Sequence, residues 1–167
     1  DVYGVTTDGN QFDMQMGVER ALGALLPAAA GADNLSGIGG AWDNAASYEM
    51  LVIDNEIFAN VFKTAEGFKV DDEHLALDII DKVGPMGNFL AQMHTMRNIK
   101  EIRISPLFDK RNPDKAKADG IRPIQDVARD MAKKMLKEHQ VTPLDKDQDR
   151  QLTAVVKDAE KTLIRRS

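Results

Sequence analysis

The sequence contains no cysteine, only one tryptophan among its few aromatic residues, and no long apolar run. Without cysteine the chain can form no disulfide scaffold, thiolate nucleophile or zinc–thiolate site, and this composition fits a reducing cytoplasm. No stretch approaches the roughly 20 apolar residues that a membrane span needs. The net charge is −5, and Lys and Arg are spread along the chain, which disfavours a basic face for nucleic acid. We therefore expect neither nucleic acid nor a membrane as a partner.

The 167 residues are enough for one domain with a sizeable core. An apolar content of 43% with 29% charged residues is typical of a globular protein. The sequence opens at Asp1, not at Met, and runs directly into a strand pattern. We interpret it as part of a longer protein.

The first 31 residues predict one strand and one helix. β-Branched and aromatic residues at 2–7 favour a strand, which ends at the turn signal Asp8-Gly9-Asn10. A helical period begins at Asp13 and is broken near Gly31. Its predicted core stripe consists of Val18, Leu22, Leu25 and Ala29.

A second strand and a second helix follow. Residues 34–38 predict the strand, and residues 45–62 predict the helix. We expect Leu51, Phe58 and Phe62 to face the core, with Asp54 and Glu56 outside. Two strand–helix units amount to about a quarter of an eight-unit barrel, which needs roughly 250 residues. The missing strands are easiest to place upstream of Asp1.

The second half is helical. A capped helix begins at Asp71-Asp72 and ends at Gly84-Pro85, because glycine accepts the left-handed conformation and proline cannot continue the ladder. Residues 108–123 predict a polar surface connection. Two amphipathic helices follow, with apolar stripes at Ile124, Val127, Met131 and Met135, and at Leu152, Val155, Val156, Ala159 and Leu163.

Glycines at 37, 39 and 40 follow the second predicted strand, and Trp42 comes just after them. The dinucleotide fingerprint would need glycine at position 42, and no Gly-Lys-Ser/Thr follows, so a phosphate loop is disfavoured. Two interpretations stay open: a plain turn, or a segment whose backbone approaches a ligand at the carboxyl end of a barrel strand. Trp42 is correspondingly a buried anchor or a cation–π wall for an ammonium ligand.

The three histidines have no partners at metal-ligand spacing, so we expect no metal site. His94 lies in a segment with neither a clean helix nor a clean strand pattern. It is either a hydrogen-bonded structural residue or, since loops carry sites, a functional candidate. Glu49, in the first turn of the second helix, is either a surface carboxylate favoured by the helix dipole or a proton donor or electrostatic partner.

Spaced motifs cover essentially the whole chain. They are Asp13-x-Gln15-x-Gly17-x-Glu19, Gly31-Ala32-Asp33-Asn34-Leu35, Ala46-Ser47-Tyr48-Glu49-x-Leu51-Val52-Ile53-Asp54-Asn55-Glu56, Val70-Asp71-Asp72-Glu73, Leu75-Ala76-Leu77-Asp78, Val83-Gly84-Pro85-x-Gly87-x-Phe89-Leu90 and His94-Thr95. Together these motifs resemble the C-terminal part of the trimethylamine:corrinoid methyltransferase family. The resemblance implies an α/β fold, the C-terminal portion of a TIM (β/α)8 barrel followed by C-terminal helices. Residues 1–105 would form the last barrel units, and residues 106–167 the helical appendage.

The resemblance also implies an activity, a methyltransferase of methylamine catabolism and methanogenesis. Such an enzyme moves a methyl group from trimethylamine to the Co(I) corrinoid of a separate small protein. We expect this chain to bind no cofactor directly and to belong to a cytoplasmic homo-oligomer. Archaeal trimethylamine enzymes of the family carry pyrrolysine, which does not occur among these 167 residues. The alternatives are methyl transfer from glycine betaine or another quaternary amine, and a non-catalytic helical interaction domain. Trimethylamine is preferred because no Arg or Lys lies between Asp1 and Glu19 to bind a carboxylate.

Position at the strand ends selects the candidate site residues. Glu49 and His94 could activate the leaving amine, because a neutral amine leaves poorly without a proton or an electrophile. Trp42 and Tyr48 could stabilise a cationic methylamine. The expected substrate-binding residues are Thr7, Asp8, Ser36, Gly37, Gly39, Gly40, Trp42 and Tyr48.

Overall fold

The computed structural model describes residues 1–41 and 45–164. The chain forms two compact units, Asp1–Lys134 and Met135–Ser167. The functional division that we expect at residue 105 stays a prediction. The first unit begins with the two strand–helix pairs predicted from the sequence, so its class is α/β, although most of the chain is helical. The elements in chain order are β1 (Val2–Tyr3), α1 (Met14–Ala29), β2 (Leu35–Ser36), β3 (Gly40–Ala41), β4 (Ala45–Ala46), α2 (Tyr48–Ala65), α3 (Asp72–Leu75), α4 (Leu77–Val83), α5 (Met93–Asn98), α6 (Pro113–Asp119), α7 (Ile124–Glu138) and α8 (Lys146–Ile164).

The strands of the two strand–helix pairs lie side by side in parallel. β1 pairs with β2 in parallel, with Val2 opposite Leu35 and Tyr3 opposite Ser36. Both strands are only two residues long, shorter than the sequence predicts. β3 and β4 form a separate antiparallel pair. The parallel pair has the local geometry of a repeated βα unit.

Side-chain caps begin the two long helices. The Asp13 carboxylate accepts the Met16 N–H at the start of α1, and the Ser47 hydroxyl accepts the Met50 N–H at the start of α2. The helices pack on each other around a core of small and apolar side chains. That core consists of Val5, Met16, Ala24, Met50, Ile53, Ile57, Val61, Leu107 and Ala128.

The predicted core stripe of α1 is wrong at most of its positions. Val18 and Leu22 are 49% and 48% exposed, and Ala29 is also exposed. Only Leu25 packs against the core. The helix instead buries Met16, Arg20 and Ala24, since Gly23 brings its backbone against the backbone of Gly4 and turns this neighbouring face towards β1.

The predicted orientation of α2 is wrong in a similar way. Leu51 and Phe62 are exposed, and Phe58 is partly buried. Asp54 and Glu56, which we expect outside, are buried. Each of these carboxylates has an arginine partner from another segment, and pairing is what makes a buried charge tolerable.

The helical second half differs from expectation at two places. The helix predicted from Asp71 to Gly84 is divided into α3 and α4 at Ala76, whose φ is +49°. The predicted surface connection at 108–123 contains the short helix α6. The amphipathic helices α7 and α8 are confirmed. Within the described residues, no helix is long and apolar enough to cross a membrane.

Candidate functional site at the strand ends

The segments that follow β1 and β2 lie side by side, because parallel strands end at the same edge. The Val5 N–H donates to the Ser36 carbonyl oxygen at 3.4 Å, just beyond the paired residues. Gly37 has a φ of +99°, and a β-carbon there would lie 3.2 Å from the Tyr3 ring and 3.3 Å from the Val5 oxygen. Only glycine fits this position without displacing the neighbouring strand end.

Residues 37–40 form a tight turn, named here the glycine turn, which packs on the start of α2. The Gly40 N–H donates to the Gly37 oxygen at 3.3 Å, and the Ser47 N–H donates to the Gly39 oxygen at 3.1 Å. Gly39 has a φ of +75°, and a β-carbon there would meet Leu51 at 3.4 Å. Through this hydrogen bond and the Leu51 contact, the turn holds the end of β2 against the N-terminus of α2.

A small cavity of about 190 Å³ lies beside the glycine turn. Its walls come from the segment after β1, from the glycine turn and from the start of α2, and they include Gly9, Phe12, Gly39, Ser47 and Met50. A larger apolar cavity of about 320 Å³ lies between α1 and α2. We favour the smaller cavity as the ligand site because it is the one at the strand ends, where folds with parallel strands keep their chemistry.

The segment after β1 is held by Glu19 of α1. The buried Thr7 hydroxyl donates to Glu19 Oε2 at 2.6 Å, and the Asp8 N–H donates to the same oxygen at 3.0 Å. The Gln15 amide donates to Glu19 Oε1 at 2.8 Å. The Thr7 hydrogen bond is the largest of several that lower the pKa of Glu19. Glu19 thus remains a carboxylate at neutral pH and fixes Thr7 and Asp8.

A buried ion pair connects both strand ends to both helices. Arg20 Nη1 lies 2.5 Å from Asp54 Oδ2, and both side chains are fully buried. Arg20 also donates to the carbonyl oxygens of Val5, at 3.2 Å, and of Gly40. The Gly39 N–H donates to Asp54 Oδ2 at 2.6 Å. Burial raises the pKa of Asp54, against the opposing effects of the Gly39 N–H and Arg20.

Sequence reasoning missed Arg20 and Asp54 as site residues, although a signal was present. Arg20 is the only basic residue among residues 1–62, which contain nine acidic ones. It also lies one turn from Met16 and one turn from Ala24, so it shares their buried face. A lone arginine on a buried helix face requires a buried acidic partner.

Glu49 lies in the first turn of α2, next to the glycine turn. Its Oε1 accepts a hydrogen bond from Arg129 Nε of α7 at 2.8 Å. A backbone hydrogen bond within its own residue, followed by the Arg129 contact, lowers the pKa of Glu49. The carboxyl group is therefore ionised at neutral pH, a state that suits an electrostatic partner better than a proton donor. The neighbouring Tyr48 is 62% exposed.

His94 is placed in a helix, not in a loop. It belongs to α5, and its Nε2 lies 2.7 Å from the Glu73 carbonyl oxygen and 3.2 Å from the Asn98 amide nitrogen. These partners belong to the helical second half and give His94 a structural environment. Its catalytic role stays a prediction. Trp42 lies outside the described residues. Throughout the described ranges, no group of three or more metal-ligating side chains could hold a metal ion.

Comparison with known proteins finds one family over nearly the whole chain. A family model described as trimethylamine methyltransferase (MTTB) matches residues 2–163. A trimethylamine methyltransferase of Methanosarcina barkeri is 37% identical over 161 residues, which are 96% of this chain and 32% of the relative. A second trimethylamine methyltransferase, of Methanosarcina mazei, is 38% identical over 162 residues with the same coverage.

A protein with a different substrate also matches. A glycine betaine methyltransferase of Desulfitobacterium hafniense is 38% identical over 68 residues, which are 41% of this chain and 14% of that protein. The chain spans about a third of the length of the two Methanosarcina relatives.

Proposed function

This chain belongs to the trimethylamine methyltransferase family, and we propose that the full-length protein containing it transfers a methyl group from trimethylamine. The proposed acceptor is the Co(I) corrinoid of a separate small protein, which would supply the nucleophile. We further propose that these residues are the C-terminal part of a TIM barrel and that the enzyme is a homo-oligomer. The activity and the partners are those of the whole enzyme.

The observation that carries the proposal is the small cavity beside the glycine turn, between the segment that follows β1 and the start of α2. Its size, about 190 Å³, suits a ligand of a few heavy atoms. Because glycine has no side chain, the backbone of the glycine turn can approach such a ligand closely. Among the described residues the cavity is lined by others, and we propose that Thr7, Asp8, Ser36, Tyr48 and Trp42 also contribute to substrate binding.

The charge balance of this region supports a cationic substrate. Residues 1–62 carry nine acidic side chains and one basic side chain. Trimethylamine is protonated in neutral water, so a negative field raises its local concentration at the site. Glu49, held ionised by its surroundings, would stabilise the bound ammonium group.

Glycine betaine is the second candidate substrate, because a relative with that name matches part of the chain. Its carboxylate would require a cationic partner at the site. The single arginine of residues 1–62 is buried and already bound to Asp54, and Arg129 of α7 is paired with Glu49. Trimethylamine, which has no carboxylate, fits this environment better.

The test is methyl transfer by the full-length protein containing this segment. The protein is mixed with a corrinoid protein reduced to Co(I) and with trimethylamine, dimethylamine or glycine betaine in parallel. Methylation of cobalt is followed by absorbance, and the demethylated amine by mass spectrometry. We expect turnover with trimethylamine and formation of dimethylamine. Turnover with glycine betaine alone would replace the substrate assignment, and no turnover with any amine would favour the non-catalytic interaction domain.

A further inference from the structure

The buried Arg20–Asp54 pair makes its hydrogen bonds to the backbone of the strand ends. Asp54 accepts the Gly39 N–H, and Arg20 donates to the carbonyl oxygens of Gly40 and Val5. One ion pair thus holds two consecutive residues of the glycine turn and fixes them relative to the end of β1. Gly40 and Val5 are 35 residues apart in sequence, and the Arg20 guanidinium bridges their carbonyl groups.

We propose that Arg20 and Asp54 are positioning residues for the ligand site, whose role is to set the geometry of the glycine turn. This inference rests on the proposed function, because the glycine turn forms a wall of the cavity assigned to the methylamine. Neither side chain needs to touch the substrate. They act through their hydrogen bonds to the Gly39 N–H and the Gly40 carbonyl group.

The energetics of the pair favour a positioning role over a stabilising one. Among the described residues, Arg20 Nε and Asp54 Oδ1 are buried without a hydrogen-bond partner. The free-energy cost of burying these unsatisfied polar atoms offsets much of the stability that the ion pair contributes. Replacing a buried pair by apolar side chains of similar volume is often neutral or stabilising. The fold can therefore survive without this pair, whereas the glycine turn would lose two hydrogen bonds and the end of β1 would lose one.

The decisive variant is Arg20→Met combined with Asp54→Leu in the full-length protein. We expect it to fold with a melting temperature close to that of the parent. A small displacement of a site wall is costly for a reaction that depends on orientation, so kcat/KM for trimethylamine should fall by about tenfold to a hundredfold, mainly through KM. Amide hydrogen exchange at Gly39 should accelerate in the same variant, and this readout does not depend on activity.

A second variant, Arg20→Lys, keeps the buried charge. Lysine has one nitrogen in place of the guanidinium fork, so it can pair with Asp54 but cannot also reach both carbonyl groups. We expect KM to rise less than in the double variant. The matched control replaces the other buried pair of α2, with Glu56→Leu and Arg103→Met. Glu56 and Arg103 are 3% and 23% exposed, and their contact does not involve the glycine turn. The control should leave KM unchanged.

Several results would overturn the proposal. One is a KM equal to that of the parent in either folded Arg20 variant. Another is an equal rise of KM in the Glu56/Arg103 control. A third is fast exchange of the Gly39 amide in the unmodified protein, which needs no variant to fold. If the unmodified protein transfers no methyl group, the proposed function fails, and the Gly39 exchange rates still decide whether the pair positions the turn.

Discussion

The backbones of Gly4 and Gly23 are in direct contact, so that a β-carbon on Gly23 would lie 2.1 Å from the Gly4 carbonyl oxygen. This contact sets which face of α1 meets the end of β1. The same face carries Arg20, three residues before Gly23, to the carbonyl oxygen of Val5. The position of the buried arginine therefore depends on a pair of glycines that lie outside the ligand site.

Gly23→Ala should destabilise the protein by about 1 to 3 kcal/mol, because the added methyl group has no space and forces α1 away from β1. Alanine is otherwise favoured over glycine inside a helix by about 1 kcal/mol. The free energy of unfolding is measured in urea. Gly17→Ala is the matched control on the same helix, since no atom lies within 4 Å of its β-carbon position. It should stabilise the protein by about 0.5 to 1 kcal/mol. Equal effects at both positions would contradict the close contact.

Asp54→Asn should cost about 3 to 5 kcal/mol of folding stability, because it leaves the Arg20 charge buried without a counter-charge. Urea unfolding again provides the measurement. Asp81→Asn on the exposed surface of α4 is the control and should change stability by less than about 0.5 kcal/mol. A small loss at Asp54 would mean that Arg20 finds another partner or reaches solvent.

Much of the fold around this pair was predictable from local sequence, which also shows Arg20 as a lone basic residue but does not identify Asp54 as its partner. The helix that begins at Asp13 follows from capping and periodicity, which involve residues within one or two turns. Burial of Asp54 and Glu56 depends on arginines 34 and 47 residues away in the sequence. Periodicity assigns a carboxylate to the outer face because it contains no information about such distant partners. The misassigned face of α1 has the same origin, a contact with Gly4 on another element.

Replacing Glu49 by Gln separates the two roles that the sequence leaves open. The pKa of Glu49 is lowered, so the group is charged throughout the neutral range. If Glu49 is an electrostatic partner of the ammonium group, its replacement should raise KM for trimethylamine several-fold. This corresponds to a loss of roughly 1 kcal/mol of binding free energy. The pH profile of kcat between 6 and 8 should keep its shape. A fall of kcat with rising pH in the parent that disappears in the Gln variant would instead identify Glu49 as a proton donor, because a donor is active only in its protonated form.

His74 and Asp71 should give α3 a maximum of stability at mildly acidic pH. The Asp71 hydrogen bond raises the pKa of His74, and the His74 hydrogen bond lowers the pKa of Asp71. The His74 contribution is complete below its ordinary pKa of about 6.5 and is lost as pH rises through the raised value. The Asp71 contribution is present above its ordinary pKa of about 3.9 and is lost as pH falls through the lowered value.

The measurement is an NMR titration of the His74 ring. Asp71→Asn should bring the pKa of His74 back towards its ordinary value. Glu101→Gln is the comparison, because Glu101 lies 3.6 Å from the other ring nitrogen and contributes less to the shift. A His74 titration that Asp71→Asn leaves unchanged would show that the two side chains do not pair in solution.

The burial of Arg20 also determines where a protease can cut. Trypsin cleaves after lysine and arginine, and Arg20 is the only such residue among residues 1–62. It is fully buried in the middle of α1, so the folded protein offers no accessible tryptic bond within residues 1–62, and the next basic residue is Lys63, near the end of α2. Brief digestion should therefore leave residues 1–62 uncut, with the strand ends, the glycine turn and α1 on one fragment. Cleavage at Arg20 would report the opening of the ion pair.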